Sequence, residues 1–213
     1  TVRGYRAGEN PARWRGHLEA LLPARARVKK VRHHSAISFA ELPAFMSALK
    51  ERPARAARAM EFLIFTAART GEVIGATWRE IDLDNKVWIV PGERMKARRE
   101  HRVPLTDAAL ASLGKAPDDR SLPLFSSADA KTALSNIAML ALLKRMERPD
   151  ITAHGFRSTF RDWVAERTEF PSELAEMALA HTIESKVEAA YRRGDMFEKR
   201  RLLMSEWASF ALS

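Results

Sequence analysis

The chain has 213 residues, enough for one large domain or for one domain and part of another, and its 46% hydrophobic content lets it bury a core. It holds no cysteine, which excludes disulfides, thiolate metal sites and cysteine nucleophiles. Lys and Arg number 36 against 27 Asp and Glu, a net charge of +9 that points to a polyanionic partner, DNA or RNA first.

No apolar run approaches the ~20 residues of a membrane span. Thr1 to Lys30 is basic and Pro-containing, without the apolar stretch of a signal peptide. The expectation is a protein of the reducing cytoplasm with no membrane partner. Residues 1–32 read as the end of a preceding domain. "ENPARWRGHLEALLP" offers one short helix, with Trp14, Leu18, Leu21 and Leu22 at helical spacing, and "ARARVKKVRHH" reads as a basic linker.

The main domain is expected over 33–213. Ser38 with Glu41 three residues on is a capping-box pattern, predicting a helix to about Lys50. "ARAARAMEFLIFTAA" (54–68) reads as a buried helix that stops at "RTG", where Gly71 permits a turn, and "EVIGATW" as another short helix. The period then changes. "KVWIV" (86–90) and "HRVPL" (101–105) are β-branched runs, predicted as an antiparallel pair joined by the basic loop "PGERMKARRE". Thr106 caps a helix ending near Gly114, and "LPLF" (122–125) is the expected third strand. From Ala128 onward the pattern is helical, over about 129–146, 155–168, 172–180, 184–192 and 195–211. The fold class is therefore mainly α with a small three-stranded antiparallel sheet. The last segment is amphipathic, with Met196, Phe197, Leu203, Met204, Trp207 and Phe210 near one face. Packing on its own domain and docking on a neighbouring protomer both fit that pattern.

Four clusters carry candidate chemistry. Arg69 ends an apolar run, so its stem is expected to be buried, with Glu72 three residues on as a partner; a surface ion pair on one helix face is the plainer reading. Between Arg94 and Arg102, the run Arg94, Lys96, Arg98, Arg99 and Arg102 makes either a solvated hairpin tip or a loop that touches DNA phosphates or enters a groove. In "AHGFRSTFRDW", His154 and Arg157 share one helical face, while Phe156, Phe160, Trp163 and Val164 form the apolar one. In "LAHTIESKVEAAYRRGD", His181 precedes Tyr191, and small residues before the tyrosine leave its hydroxyl unshielded. By residue type and neighbours alone, Tyr191 also fits an ordinary surface position.

These residue types together suit metal-free phosphoryl transfer to a tyrosine. The five-coordinate phosphorus gathers charge on its equatorial oxygens, and arginines bind those oxygens in bidentate fashion. A tyrosine ionises near ~10 and needs a base or a cationic site to attack near neutrality. The departing 5′-oxygen needs a proton, which a lysine can give.

With these motifs in hand, the chain resembles the tyrosine recombinases, and among them the integrases of the P4 phage type. The resemblance runs from about Ser38 to the C-terminus and rests on "FTAARTGEVIGATWREIDLDNKVWIVPGERMKARREHRVPLT", "HGFRSTFRDW" and "LAHTIESKVEAAYRRGD". It implies that Arg69 and Arg157 hold the scissile phosphate and that Lys96 protonates the leaving oxygen. By the same resemblance His154 assists proton transfer, His181 hydrogen-bonds the phosphate and Tyr191 is the nucleophile. Glu72 would orient a cationic group. The implied function is site-specific integration and excision of a prophage or genomic island through a 3′-phosphotyrosine bond, without metal or nucleotide cofactor. The implied partners are attachment-site DNA, three further copies in a tetramer on DNA (a monomer when free), an excisionase and a DNA-bending host protein, with the working protein at the bacterial nucleoid. Residues 1–32 would then be the remnant of a core-binding domain. A catalytically silent DNA-binding integrase fragment and a type IB topoisomerase-like activity are the alternatives.

Overall fold

The computed structural model describes residues 10, 12–22, 35–127, 131–181 and 194–213. The chain divides into two compact units, Thr1–His33 and His34–Ser213. In the first, an irregular turn over Trp14–Leu18, in which Gly16 takes a left-handed φ of 72°, runs into a single helical turn, Glu19–Leu21. Its apolar residues Trp14, Leu21 and Leu22 are exposed.

The second unit is mainly helical. Its elements are α1 (Leu42–Lys50), α2 (Arg55–Thr66), α3 (Thr70–Ile74), α4 (Asp107–Leu113), α5 (Ala138–Arg145), α6 (Gly155–Arg167), α7 (Ser172–Ala178) and α8 (Phe197–Ala211), with a sheet of strands β1 (Ile81–Asp82), β2 (Val87–Val90) and β3 (His101–Pro104). No helix among the described residues is long and apolar enough to cross a membrane.

Helix α2 is the centre of the core. Ala57, Ala59, Met60, Phe62 and Leu63 are fully buried, and α1, α3, α4, α5 and α8 all pack on it. Its small residues allow close approach from several sides, while its rings fill the gaps: Phe62 lies 5.2 Å from Trp88 of β2 and 5.6 Å from Phe125. Leucine, phenylalanine and tryptophan burial of this kind contributes about 1.5–3 kcal/mol per side chain. Helix α8 packs on this domain through Leu203, Met204 and Trp207, and the Trp207 indole N–H donates to the Ile64 carbonyl at 2.8 Å. The amphipathic C-terminal segment therefore packs on its own domain.

The sheet is antiparallel in the order β1-β2-β3. Register pairs Trp88 with Ile81 on one side and Val103 on the other, and Val90 with His101. The third strand is β1 rather than the expected 122–125. Asp82 accepts from the Asn85 backbone N–H (2.9 Å) and side-chain amide (2.8 Å), closing a tight turn that folds β1 onto β2. Residues 122–125 instead make one bridge, Thr77 to Pro123, and Pro123 has no N–H with which to extend a ladder.

Two other boundaries differ from expectation. Helix α2 ends because Ala67, not Gly71, turns left-handed (φ 49°), and Gly71 lies inside α3. The helix expected over 129–146 is only Ala138–Arg145, since Ser127 binds Thr132 through its backbone N–H (2.7 Å) and hydroxyl (2.6 Å). Serine and threonine compete with helical hydrogen bonding in this way. At the start of the domain, the Ser38 hydroxyl caps from Ala40 (3.3 Å) rather than from Glu41. The helix expected over 184–192 lies outside the described residues.

One glycine positions the functional helix. Residues 35–37 strap across the beginning of α6: Thr152 donates to the Ser35 carbonyl at 3.1 Å and the Thr159 hydroxyl to the Ile37 carbonyl at 2.7 Å. A Cβ on Gly155 would overlap the backbone of Ser35 and Ala36. Gly155→Ala is expected to lower stability by about 3 kcal/mol, read as a drop in the urea midpoint; an unchanged midpoint would show that the strap is not tightly seated.

Candidate active site

Helix α7 ends at Ala178, and the chain leaves it through Leu179 and a left-handed Ala180 (φ 49°). The His181 backbone N–H returns to the Glu176 carbonyl (2.9 Å) and that of Ala180 to Met177 (3.1 Å), a Schellman-type closure made without glycine. Two of the carbonyls this turn leaves pointing outward receive arginine donors. His101 of β3 lies beside Ala178 around one small enclosed space. The Arg157 Nη2 donates to Leu179 at 2.7 Å, and the Arg69 Nη2 reaches Ala180 at 3.5 Å. One helix end thus gathers side chains from β3, α6 and the α2–α3 corner.

Arg157 is the deepest of these, at 4% exposure. Its Nη1 donates to Ala67, the residue that ends α2, at 2.6 Å, and its Nη2 also meets His181 Nε2 at 3.0 Å. Helix C-termini carry partial negative charge, so α2 and α7 both favour the buried cation. Burial first, and the neighbouring Arg69 second, pull its ionisation down to about 10, which leaves it charged at neutral pH. Arg69 is half-buried. Glu72, itself buried, accepts from Arg69 Nη1 at 2.7 Å and from the Arg69 backbone at 3.0 Å, fixing the guanidinium beside Arg157.

His154 sits at the cap position before α6, half-buried, and its carbonyl accepts from the Arg157 backbone at 3.2 Å. Phe156, Phe160, Trp163 and Val164 are buried on the opposite side, as the spacing predicts. His181 is partly exposed at the mouth of the site. Tyr191 lies outside the described residues.

The basic loop after β2 divides in two. Arg94 turns inward, to the Glu80 carboxylate and the Glu72 carbonyl, and Glu80 also accepts from the Trp88 indole at 2.9 Å. With buried Met95 it pins the loop to the domain, so Arg94 carries an internal task. Lys96, Arg98 and Arg99 follow on the exposed stretch. Arg102 is half engaged, stacked over the Phe197 ring at 4.2 Å and 3.5 Å from Asp195.

Two residues near the site are absent from the motif reading. Glu176 lies five residues before His181 and contacts its ring. His101 lines one small enclosed space with Thr66, Glu72, Arg157 and Ala178. The signal for His101 is the period of two that places it on the face of Val103 and Leu105.

The comparisons agree with this architecture. Residues 35–197 match the model of the phage integrase family, and the chain belongs to that family. It is 35% identical to the prophage integrase IntA of Escherichia coli K12 over 149 residues, covering 68% of this chain and 36% of that one. To the integrase of Enterobacteria phage P4 it is 27% identical over 202 residues, covering 85% and 46%. The chain thus spans less than half the length of these curated relatives. Among solved structures, a lambda integrase tetramer bound to a Holliday junction matches with a TM-score of 0.58 at 18% identity, covering 87% of this chain and 55% of that one. The integrase of mycobacterium phage Brujita matches with 0.59 at 18%, covering 87% and 65%. These likenesses show that the fold is that of tyrosine recombinase catalytic domains.

Burial, then the positive Arg200, pushes His101 down from 6.5 to about 4, with Arg69 adding to the effect and Glu72 opposing it. A histidine held neutral in this way contributes stability that is complete above pH 6.5 and is lost as pH falls toward 4, because the unfolded chain takes up the proton first. The parent chain is therefore expected to lose more stability than His101→Gln between pH 7 and pH 4.5 in urea unfolding; parallel losses would contradict the assignment.

Proposed function

We propose that the chain is the catalytic part of a site-specific DNA recombinase that cuts and rejoins strands through Tyr191. The observation that carries this reading is the convergence of Arg69, Arg157 and His181 on the end of α7. Two guanidiniums held side by side, with one carboxylate on Arg69 and carbonyls on both, need an anion to balance them. A phosphodiester supplies two non-bridging oxygens at the right spacing for arginine. Three of the five N–H groups of Arg157 are committed to Ala67, Leu179 and His181, so it would meet the phosphate without reorganising.

In this account Tyr191 attacks the phosphorus, the P–O5′ bond breaks, and a 3′-phosphotyrosine forms. Lys96, exposed on the loop after the buried Met95, gives the proton to the departing 5′-oxygen. His154 assists proton transfer at the tyrosine. The reverse attack by another strand's 5′-hydroxyl completes the exchange, so bond energy is conserved and no nucleotide is consumed. Arg98, Arg99 and Arg102 would follow the DNA backbone beside the cut. One solved structure described as a lambda integrase tetramer bound to a Holliday junction supports action on DNA by four copies. Integration or excision of a prophage or genomic island at the nucleoid, with an excisionase and a bending protein as partners, is the corresponding biological reading. Residues 1–32 are read as the end of a core-binding domain.

The test uses a nicked suicide duplex carrying the element's end, followed by peptide mass spectrometry. A nucleotide adduct is expected on the Tyr191 peptide, and none with Tyr191→Phe at unchanged DNA affinity. An adduct on another residue, or full cleavage by Tyr191→Phe, would overturn the reading.

A further inference from the structure

The side chain of His181 is gripped from both sides. Its Nε2 is 3.0 Å from Arg157 Nη2, and its Nδ1 is 2.6 Å from Glu176 Oε2. Arginine has no acceptor, so the Nε2 contact requires that nitrogen to accept. The proton of the neutral ring therefore sits on Nδ1, where the Glu176 carboxylate takes it. The other Glu176 oxygen, Oε1, forms an ion pair with the Arg161 guanidinium, 2.8 Å from Nε, one helical turn along α6 from Arg157. Arg161, Glu176, His181 and Arg157 thus form a chain of polar contacts, one ion pair and two hydrogen bonds, that begins and ends on α6 and runs through α7. The backbone doubles the link, since the His181 N–H returns to the Glu176 carbonyl through the left-handed Ala180.

We infer that Glu176 is a positioning residue for the reaction: it holds the His181 ring with Nδ1–H turned away from the cleft and Nε2 turned into it. The Nδ1–H exists both in this tautomer and in the doubly protonated ring, so the carboxylate keeps Nε2 on the substrate side in either state. Without that acceptor the ring can rotate or place its proton on Nε2, donor against donor with Arg157. The arrangement parallels a histidine ligand oriented by a carboxylate on its far nitrogen. The catalytic consequence rests on the reading of Tyr191 and His181 given above, whereas the ring geometry does not.

Two measurements test this. The first reads the His181 ring in the DNA-free chain by long-range 1H–15N correlation. The parent is expected to show a protonated Nδ1. Glu176→Gln is expected to move the proton to Nε2, because Arg161 draws the amide oxygen and leaves the NH2 group facing Nδ1. A parent ring with bare Nδ1, or the same pattern in both proteins, would overturn the inference. The second measures cleavage of the nicked duplex. Glu176→Ala is expected to be about 10- to 100-fold slower, with DNA affinity and urea midpoint near those of the parent, and to add less than about twofold when introduced into His181→Ala. Parent-like cleavage, or an equal loss in the His181→Ala background, would show that Glu176 does not act through His181. If the parent itself forms no tyrosine adduct, the proposed function fails, and the ring measurement alone decides the positioning role.

Discussion

The end of helix α7 organises the site. Two consecutive carbonyls, those of Leu179 and Ala180, accept from Arg157 and Arg69, and His101 lies beside the preceding Ala178. A helix terminus leaves such acceptors without intrahelical donors, and an arginine or histidine brought to them satisfies the backbone while finding its own place. The same bonds that complete a helix end therefore aim cationic groups at one cleft. Arg157 ties this end to a second one, the Ala67 carbonyl after α2. Breaking that buried guanidinium out of the fold would strand two carbonyls in dry surroundings, so Arg157 holds α2, α6 and α7 together.

Both helix ends turn on alanine in the left-handed region, Ala67 and Ala180, each with φ 49°. That conformation costs roughly 1–2 kcal/mol for a residue with a Cβ. The strain sits on either side of Arg157: one turn delivers Arg69 and the other delivers His181. Glu72 and Glu176 then lock the two side chains that these turns present. Away from the cleft, the opposite strategy holds. Lys96, Arg98 and Arg99 stand on the exposed half of a loop whose buried half is nailed down by Arg94 and Met95.

Much of this was legible in the chain because it depends on local pattern. Val87–Val90 and His101–Pro104 lie in β-branched runs, α6 shows its apolar face at Phe156, Phe160, Trp163 and Val164, and Thr106 announces α4. What was not legible depends on tertiary context. Ala67 ends α2 although alanine is the best helix former, because the Arg157 and Trp207 donors wait at that end. Strand β1 is two residues long, too short for any periodicity, and exists because Asp82 and Asn85 close a turn. The contact of Glu176 with His181 requires a left-handed turn at an alanine, which no residue type in "EMALAH" advertises. Arg94 looked like part of a basic surface, and only the fold shows that Glu80 lies beneath it.

The central claim is that the phosphate cradle stands ready before DNA arrives. The most direct measurement is a crystal structure of the chain on a nicked duplex, compared with the free protein. The account predicts non-bridging oxygens of the scissile phosphate on Arg69 and Arg157, with Arg157 still donating to the Ala67 and Leu179 carbonyls and its guanidinium in its original place. A phosphate bound elsewhere, or an Arg157 that leaves both carbonyls to reach it, would contradict the account.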